Sequence, residues 1–395
     1  MKVLVAGAKG FVGKNLCESL KNIRDGKDRR NRYQPLLPLT LFEYDKDSTE
    51  EELSSYCEQA EFVFNLAGVN RPKEKTEFME GNYGFASELL NALEQCGNKC
   101  PVMLSSSIQA SLEGRYAGSE YGKSKLEGER LFRDYSARTN APVLIYRFPN
   151  IYGKWCRPNY NSVVATFCSN IANDLPIVIN DPNVRLELLY IDDLVTEMLN
   201  ALLGEESREG NFCVANPTDK VTLGEVVKLI QEFKAARSTI SVPDVTPGSF
   251  GKKLYSTYLS YLSPQDFSYK LKKNEDTRGS FTEILRTADR GQVSINISKP
   301  GVTKGQHWHQ TKWEKFCVVS GDGLIQLRCV GLGEDGEVSP TVEYRVTGNE
   351  PVIVEIPPGY THNITNLSSN RDLITIMWCN EVFDFGNPDT FPENV

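Results

Sequence analysis

All three histidines of this chain fall in two short segments, and that gathering limits what its C-terminal third can fold into. Gly301 to Gly321 reads GVTKGQHWHQTKWEKFCVVSG and carries His307 and His309; His362 follows in a second signature. The spacing G-x5-H-x-H-x4-E-x6-G describes a strand, a turn and a strand. Side chains two apart on a strand face the same way, so His307 and His309 are expected to project side by side. Glu314 opens the next strand. Imidazoles with a carboxylate suit a borderline divalent metal such as zinc.

The N-terminus carries an unrelated pattern. Lys2 to Ala6 is a short apolar run that predicts a buried strand. It leads into Gly7-Ala8-Lys9-Gly10-Phe11-Val12-Gly13 and a helical segment from Lys14 to Leu20. Glycines at such a strand-to-helix turn let a pyrophosphate approach the backbone at a helix N-terminus. A second strand is expected over Leu39 to Glu43. Asp45 after it, with Glu43 behind, is the candidate for the adenosine ribose hydroxyls; Lys46 could instead meet a 2'-phosphate. These neighbours point to opposite cofactors, NADH and NADPH. Between the strands, Arg24 to Pro38 reads as a polar, proline-containing loop. Its basic run Lys27 to Arg32 is expected to mark a solvated insertion.

Glu61 to Gly68 reads as a strand ending in a glycine turn at Leu66-Ala67-Gly68. Helical periodicity covers Tyr83 to Leu93. Pro101 to Leu104 predicts a strand that ends in Ser105-Ser106-Ser107, followed by a helix that carries Tyr121-Gly122-Lys123-Ser124-Lys125. Tyr and Lys four apart stack on one helix face. A phenol titrates near 10, and a nearby ammonium is expected to lower that value. With a serine hydroxyl to orient a carbonyl, the set suits proton transfer to a ketone or from an alcohol. Counting from the strand end favours Ser106, with Ser107 the alternative.

The 395 residues, 40% hydrophobic and 24% charged, are enough for two domains. A net charge of -8, without a Lys/Arg run interleaved with aromatics, argues against a nucleic-acid partner. No apolar run is long enough to span a membrane. The opening MKVLVAGAKG does not read as a signal peptide. Ten dispersed cysteines suggest reduced thiols in a cytoplasmic protein.

Val221 to Phe233 predicts a helix, Val242 to Gly248 a linker, and Leu254 to Leu262 a packing helix between domains. From Asn274 the chain turns to short β-rich runs between glycine turns: 292–297, 314–319, 324–330, 341–346, 352–356 and 373–378. Many short strands without a long helix indicate a small β-barrel or jelly roll.

Several motifs carry family resemblances. Gly7/Gly10/Gly13, Leu66-Ala67-Gly68, Ser105-Ser106-Ser107, Tyr121/Lys125, Arg147-Phe148-Pro149-Asn150-Ile151-Tyr152-Gly153 and Tyr190-Ile191-Asp192-Asp193 resemble an extended short-chain dehydrogenase/reductase. That implies an α/β NAD(P)-binding Rossmann domain over residues 1–245. It implies that Tyr121 protonates the carbonyl, that Lys125 holds the cofactor ribose and tunes Tyr121, and that Ser106 or Ser107 positions the carbonyl. Gly7, Lys9, Gly10, Phe11, Val12, Gly13, Asp45, Lys46, Leu66, Ala67 and Gly68 would line the cofactor. Asn70, Arg71, Arg147, Asn150 and Arg185, with the loop from Lys154 to Asn161, would approach a nucleotide sugar.

After a linker and packing segment at 246–273, residues 274–395 resemble an all-β cupin domain, a jelly-roll barrel. The histidine stretch fits the first cupin motif, and Pro357 to Asn366 fits P-x-G-x2-H-x3-N of the second; Pro351 replaces that motif's leading glycine. The implied metal ligands are His307, His309, Glu314 and His362. Asp276 to Glu283, DTRGSFTE, resembles a segment of the dTDP-4-keto-6-deoxysugar 3,5-epimerases, which implies nucleotide contacts from Arg278 and Glu283. Those epimerases place a histidine base where His307 stands, so His307 has two competing roles, with three histidines and Glu314 favouring ligand.

The pairing of both domains, with GVNRP, LSSSIQA, KWCRPNYNSV, LYSTYLSYL and HWH, resembles the bifunctional capsular-polysaccharide-synthesis enzymes. The resemblance implies a cytoplasmic homodimer acting on a UDP-4-keto-6-deoxy amino sugar. C3 epimerisation of a UDP-2-acetamido-2,6-dideoxy-4-hexulose would precede NADPH-dependent C4 reduction to UDP-2-acetamido-2,6-dideoxy-β-L-talose. The other reading is an NAD-dependent nucleotide-sugar 4-epimerase or dehydratase whose cupin is a non-catalytic, metal-holding dimerisation module.

Overall fold

The N-terminal apolar run is covered on both faces, as its continuous hydrophobicity demands. In the computed structural model, which describes residues 1–69, 77–333 and 337–395, this run is β1 (Lys2–Ala6) of a parallel sheet. Strands β2 (Thr40–Tyr44), β3 (Phe62–Asn65), β4 (Val102–Ser107) and β5 (Val143–Phe148) join it in the order β2-β1-β3-β4-β5. After these come β6 (Asn150–Tyr152), β7 (Arg185–Tyr190), β8 (Arg208–Glu209), β9 (Phe212–Cys213) and β10 (Thr218–Thr222). β9 continues the main sheet in parallel beside β5, and β8 closes it antiparallel. A separate sheet runs β10-β7-β6.

Helix α1 (Phe11–Arg24) packs Leu16, Leu20 and Ile23 on one face of the main sheet. Helices α2 (Glu50–Gln59), α3 (Phe85–Gln95) and α4 (Glu120–Thr139) cover the other face through Leu53, Leu89, Leu93, Phe132 and Tyr135. This is a Rossmann-type fold. The chain leaves β1 toward β2 on one side and returns as β3 on the other, which opens a crevice at the carboxyl ends of β1 and β3.

The expected polar loop before β2 is instead packed. α1 runs through Arg24, and Asn31–Leu36 forms a 3-10 turn whose Tyr33 and Leu36 are each 2% exposed. Both join Leu20, Ile23 and Leu39 in the core, so two apolar residues in a polar run anchor the insertion.

Helices α5 (Val163–Ala172), α6 (Ile191–Leu202), α7 (Leu223–Thr239) and α8 (Phe250–Leu259) follow. The chain forms two units: residues 1–231 with 247–263, and 232–246 with 264–395. The stretch expected as a linker is partly paired within the second unit, where the Val242 N–H donates to the Arg286 carbonyl at 2.8 Å. α8 lies in the first unit and packs against α5.

From Lys273 onward the second unit is antiparallel and all-β. Its strands are β11 (Lys273–Asp276), β12 (Gly279–Thr287), β13 (Gly291–Ser298), β14 (Thr303–Trp308), β15 (Glu314–Ser320), β16 (Asp322–Cys329), β17 (Val342–Thr347), β18 (Ile353–Ile356), β19 (Tyr360–Asn366), β20 (Leu373–Cys379) and β21 (Phe391–Pro392). One sheet runs β11-β12-β13-β20-β15-β18 and the other β17-β16-β19-β14-β21. Alternate residues Phe316, Val318, Ile325, Leu327, Val354, Ile356 and Ile364 fill the core. β12 was not legible as a strand, because a bulge between Glu283 and Leu285 breaks its alternation.

All ten cysteines are free thiols. No helix among the described residues is long and apolar enough to cross a membrane.

Candidate active site and candidate metal centre

The crevice above β1 is built by close backbone approach. A Cβ on Gly13 would lie 2.1 Å from the Gly7 carbonyl oxygen, and one on Gly7 would lie 2.7 Å from the Ala67 nitrogen. Bulk at either position would push α1 and the β3 end out of place. Asp45 turns back onto this turn, where its carboxylate accepts the Lys9 N–H at 2.7 Å and the Lys46 N–H at 2.9 Å. The Lys9 ammonium pairs with Asp47, and Lys46 is exposed. Phe11 and Val12 open α1, and Leu66 to Gly68 close the opposite wall after β3.

Tyr121, Lys125 and Ser107 meet beside that wall. The Lys125 ammonium lies 5.7 Å from the Tyr121 ring centroid and donates to the Ser105 carbonyl at 3.0 Å. The Ser107 side chain interacts with the Tyr121 hydroxyl. A Cβ on Gly68 would lie 3.1 Å from the Lys125 nitrogen. Asn82, inside a π-helical turn (Glu80–Gly84), donates to Ser124 and to the Val69 carbonyl, each at 3.0 Å. That buried bridge ties the first turn of α4 to the chain leaving β3.

Two expectations are corrected here. Ser106, favoured from counting, donates to Glu129 at 2.6 Å and is 3% exposed. β4 extends through Ser107, so alternation sends Ser106 to the face opposite Ser105 and Ser107. The phenol is not lowered: burial pushes Tyr121 up to about 12, with Ser107 opposing, and burial brings Lys125 down to about 8.

Arg147 is also reassigned. It sits opposite Ser106 on β5 and grips Glu129 with two bonds, of 2.8 and 2.7 Å. Its guanidinium stacks over Phe212 at 4.1 Å. In the structure the guanidinium is committed to this ion pair. Glu129, the hub, was missed, yet Tyr121, Lys125 and Glu129 recur at four-residue spacing on one helix face, which is a readable signal. Asn150 and Arg185 are exposed on β6 and β7, and Lys154 pairs with Asp192. Asn70 and Arg71 lie outside the described residues.

In the second unit, the donor atoms of His307, His309, Glu314 and His362 all lie within 4.8 Å of one another. His307 does not reach this cluster by plain alternation. Gln306 sits at φ +62° in a bulge of β14, and His309 follows the strand end, yet the His307 and His309 rings are 5.0 Å apart. A Glu314 oxygen lies 3.2 Å from His362 Nε2 and 3.5 Å from His309 Nε2, close to the roughly 3.3 Å that tetrahedral zinc ligands keep.

Two imidazoles are held from behind by backbone carbonyls, Asp389 for His309 at 2.5 Å and Tyr360 for His362 at 3.4 Å, and the Gly305 backbone acts on His307. Such bonds aim the other ring nitrogen inward. His309 Nε2, His362 Nε2 and Glu314 Oε2 are buried without a hydrogen-bond partner, an arrangement that a cation would satisfy. Burial brings His307 down to about 4, with His362 adding to it. Burial alone would raise Glu314, but the imidazoles of His309 and His362 outweigh it and hold the carboxyl at about 2. Burial alone would lower His309, but the Glu314 carboxylate and the Asp389 backbone outweigh it and raise it, so a divalent metal would displace a proton from that pair. The residues fit the metal.

Arg278 and Glu283 do not converge on an open site together. Arg278 is 63% exposed and pairs with Asp276 at 2.7 Å, whereas Glu283 pairs with Arg286.

Residues 3–214 match the NAD dependent epimerase/dehydratase family, and residues 274–391 match the polysaccharide biosynthesis C-terminal domain. The chain belongs to the NAD-dependent epimerase/dehydratase family. Within that family it is 39% identical to the UDP-2-acetamido-2,6-beta-L-arabino-hexul-4-ose reductase of Pseudomonas aeruginosa, over 99% of this chain and 98% of that one. It is 46% identical to the capsular polysaccharide assembling protein CapF of Staphylococcus aureus, covering 100% of both chains with a TM-score of 0.87. The UDP-glucuronic acid 4-epimerase of Bacillus cereus, 19% identical, covers 66% of this chain and 98% of its own at a TM-score of 0.50 and shares the fold. This epimerase/dehydratase member thus combines the family's nucleotide-binding fold with an antiparallel domain that it shares with CapF.

Proposed function

We propose that the chain is a bifunctional nucleotide-sugar enzyme of capsule or O-antigen synthesis. The first unit reduces the C4 ketone of a UDP-2-acetamido-2,6-dideoxy-4-hexulose, and the second first inverts C3. The product is UDP-2-acetamido-2,6-dideoxy-β-L-talose, on the route to N-acetyl-L-fucosamine. The observation that carries the reading is the Ser107–Tyr121–Lys125 cluster beside Gly68, on a Rossmann sheet, in a chain similar over nearly its whole length to a UDP-hexul-4-ose reductase.

NADPH, when bound, supplies the hydride to C4. Gly7, Gly10 and Gly13 admit the pyrophosphate, and Asp45 and Lys46 flank the adenosine end. Lys125 offers its N–H groups to the nicotinamide ribose. Ser107 orients the ketone oxygen, and Tyr121 gives it a proton; a phenol at about 12 is fully protonated at neutral pH and ready to donate.

Order follows from chemistry. A C4 ketone acidifies the C3 proton through the enolate it allows, so inversion must precede reduction. His307, His309, Glu314 and His362 would hold a divalent cation, most simply zinc. Four protein ligands satisfy a tetrahedral ion, which favours a structural role in a cupin-like barrel over direct chemistry. The second reading, in which this unit holds copies together and catalyses nothing, is compatible with the same closed ligand set. For the homodimer, the outer row Ile353, Cys317 and Ile376 offers an apolar face, with Ile353 57% and Ile376 39% exposed.

The test is incubation of the full chain with the UDP-4-keto sugar in D2O, with and without NADPH. Deuterium at C3 without NADPH, and stoichiometric NADPH oxidation with it, are expected. NADPH left unconsumed would refute the reductase. Protium retained at C3 would leave the second unit non-catalytic.

A further inference from the structure

One residue near the C-terminus holds the segment between two of the four candidate metal ligands. The Asp389 carboxylate accepts the backbone N–H of Gln310, Thr311 and Lys312, each at 2.9 Å, and the Thr311 hydroxyl at 3.0 Å. Those three residues lie in the connection from His309 to Glu314. The backbone carbonyl of the same Asp389 sits 2.5 Å from His309 Nδ1. The neighbouring Pro388 carbonyl accepts the ammonium of Lys312, a side chain only 3% exposed.

The two grips are coupled by covalent geometry. The carboxylate fixes where Asp389 stands relative to the loop, and so fixes where its carbonyl meets the imidazole. That carbonyl takes the Nδ1 proton, which leaves the Nε2 lone pair facing Glu314. Asp389 holds φ at +40°, a left-handed conformation that Asp tolerates better than most residues. Substituting it removes the loop anchor and leaves the carbonyl held only through its neighbours, Pro388 and the paired Phe391–Pro392.

We propose that Asp389 is a positioning residue of the metal centre, setting the tautomer and orientation of His309 and the span from His309 to Glu314. The inference rests on the metal reading of His307, His309, Glu314 and His362. The tail has a second anchorage that involves neither Asp389 nor the His309–Glu314 connection: Arg328 holds Glu393 at 2.8 Å and the Asn394 carbonyl at 2.8 Å, beside Pro392, which pairs with His307. This separates a general strap from a specific positioner.

The experiment titrates the metal-free full chain with Co2+ against a competing chelator and records the visible spectrum. Wild type should bind one Co2+ with a tetrahedral spectrum. Asp389→Ala should lose about 10–100-fold in affinity and show an altered spectrum, with Asp389→Asn falling between. Arg328→Ala should keep wild-type affinity and spectrum. Should Asp389→Ala fail to fold, the near-isosteric Asp389→Asn carries the test. Asp389 variants that bind like wild type would overturn the proposal, as would an equal loss in Arg328→Ala. A wild-type chain that takes up no Co2+ would instead remove the metal reading beneath it.

Discussion

Ser106 donates to Glu129 at 2.6 Å, whereas its neighbour Ser107 interacts with Tyr121. Adjacent serines at the end of one strand therefore serve different partners on one helix. Ser107→Ala and Tyr121→Phe should each lower keto-sugar-dependent NADPH oxidation, Tyr121→Phe by about 10²–10⁴-fold. Ser106→Ala should leave the rate near wild type and cost about 1–3 kcal/mol in urea unfolding. The reverse ranking of the two serines in a stopped-flow assay would refute the assignment.

Arg147 and Glu129 should behave as a structural pair. Glu129 is 2% exposed on its side chain and Arg147 24%, so removing one partner strands a charge in a largely dry site. Arg147→Ala should destabilise by about 3–5 kcal/mol in equilibrium denaturation. The KM for the nucleotide sugar should stay within about twofold in whatever fraction folds. A large KM increase at unchanged stability would show that Arg147 meets substrate after all.

The pH profile of reduction should be set by Lys125. Burial holds it at about 8, against an ordinary 10.5, while Tyr121 stands at about 12. Above about pH 8 the ammonium is lost first, so kcat/KM should fall there, and Lys125→Met should flatten that limb at a low rate. A lysine with a lowered folded value binds fewer protons folded than unfolded, so its contribution to stability rises with pH between about 8 and 10.5. Activity and stability should then move in opposite directions across that window. A parallel loss of both would trace the limb to unfolding.

Stripping the metal should loosen the β unit. With His309, His362 and Glu314 left buried and unsatisfied at the centre, chelation should lower its melting temperature and speed proteolysis there. His362→Ala should abolish the chelator effect, because a missing ligand already forfeits the ion. Identical melts with and without chelator would argue against a resident metal.

The parts legible in the sequence were those in which function is written into local spacing. The glycine turn, the Tyr121/Lys125 interval and the histidine pattern each occupy one short stretch, and the structure gathers each of them. Ser106 was misjudged because the strand runs three residues further, through Ser107, and an odd shift inverts a period of two. Arg147 was misread because an arginine's partner depends on the adjacent strand and helix, not on its own neighbours. Asp389 was invisible, since its partners lie 77 to 79 positions away in the chain. Packing of the insertion before β2 rests on only Tyr33 and Leu36 within a charged run, too sparse a signal for periodicity.

Lys253, in α8, is buried against Asp193 at 2.8 Å and Asp219 at 3.7 Å, although residues 232–246 before it belong to the other unit. The boundary is therefore crossed more than once by the backbone. A recombination event that swapped everything after residue 246 for a foreign partner would leave two acidic side chains without their cation. Shuffling of such genes is expected to conserve the reductase's return segment, 247–263, with the upstream half. A chimera that keeps 247–263 with its own N-terminal half should fold where one joined at 246 does not.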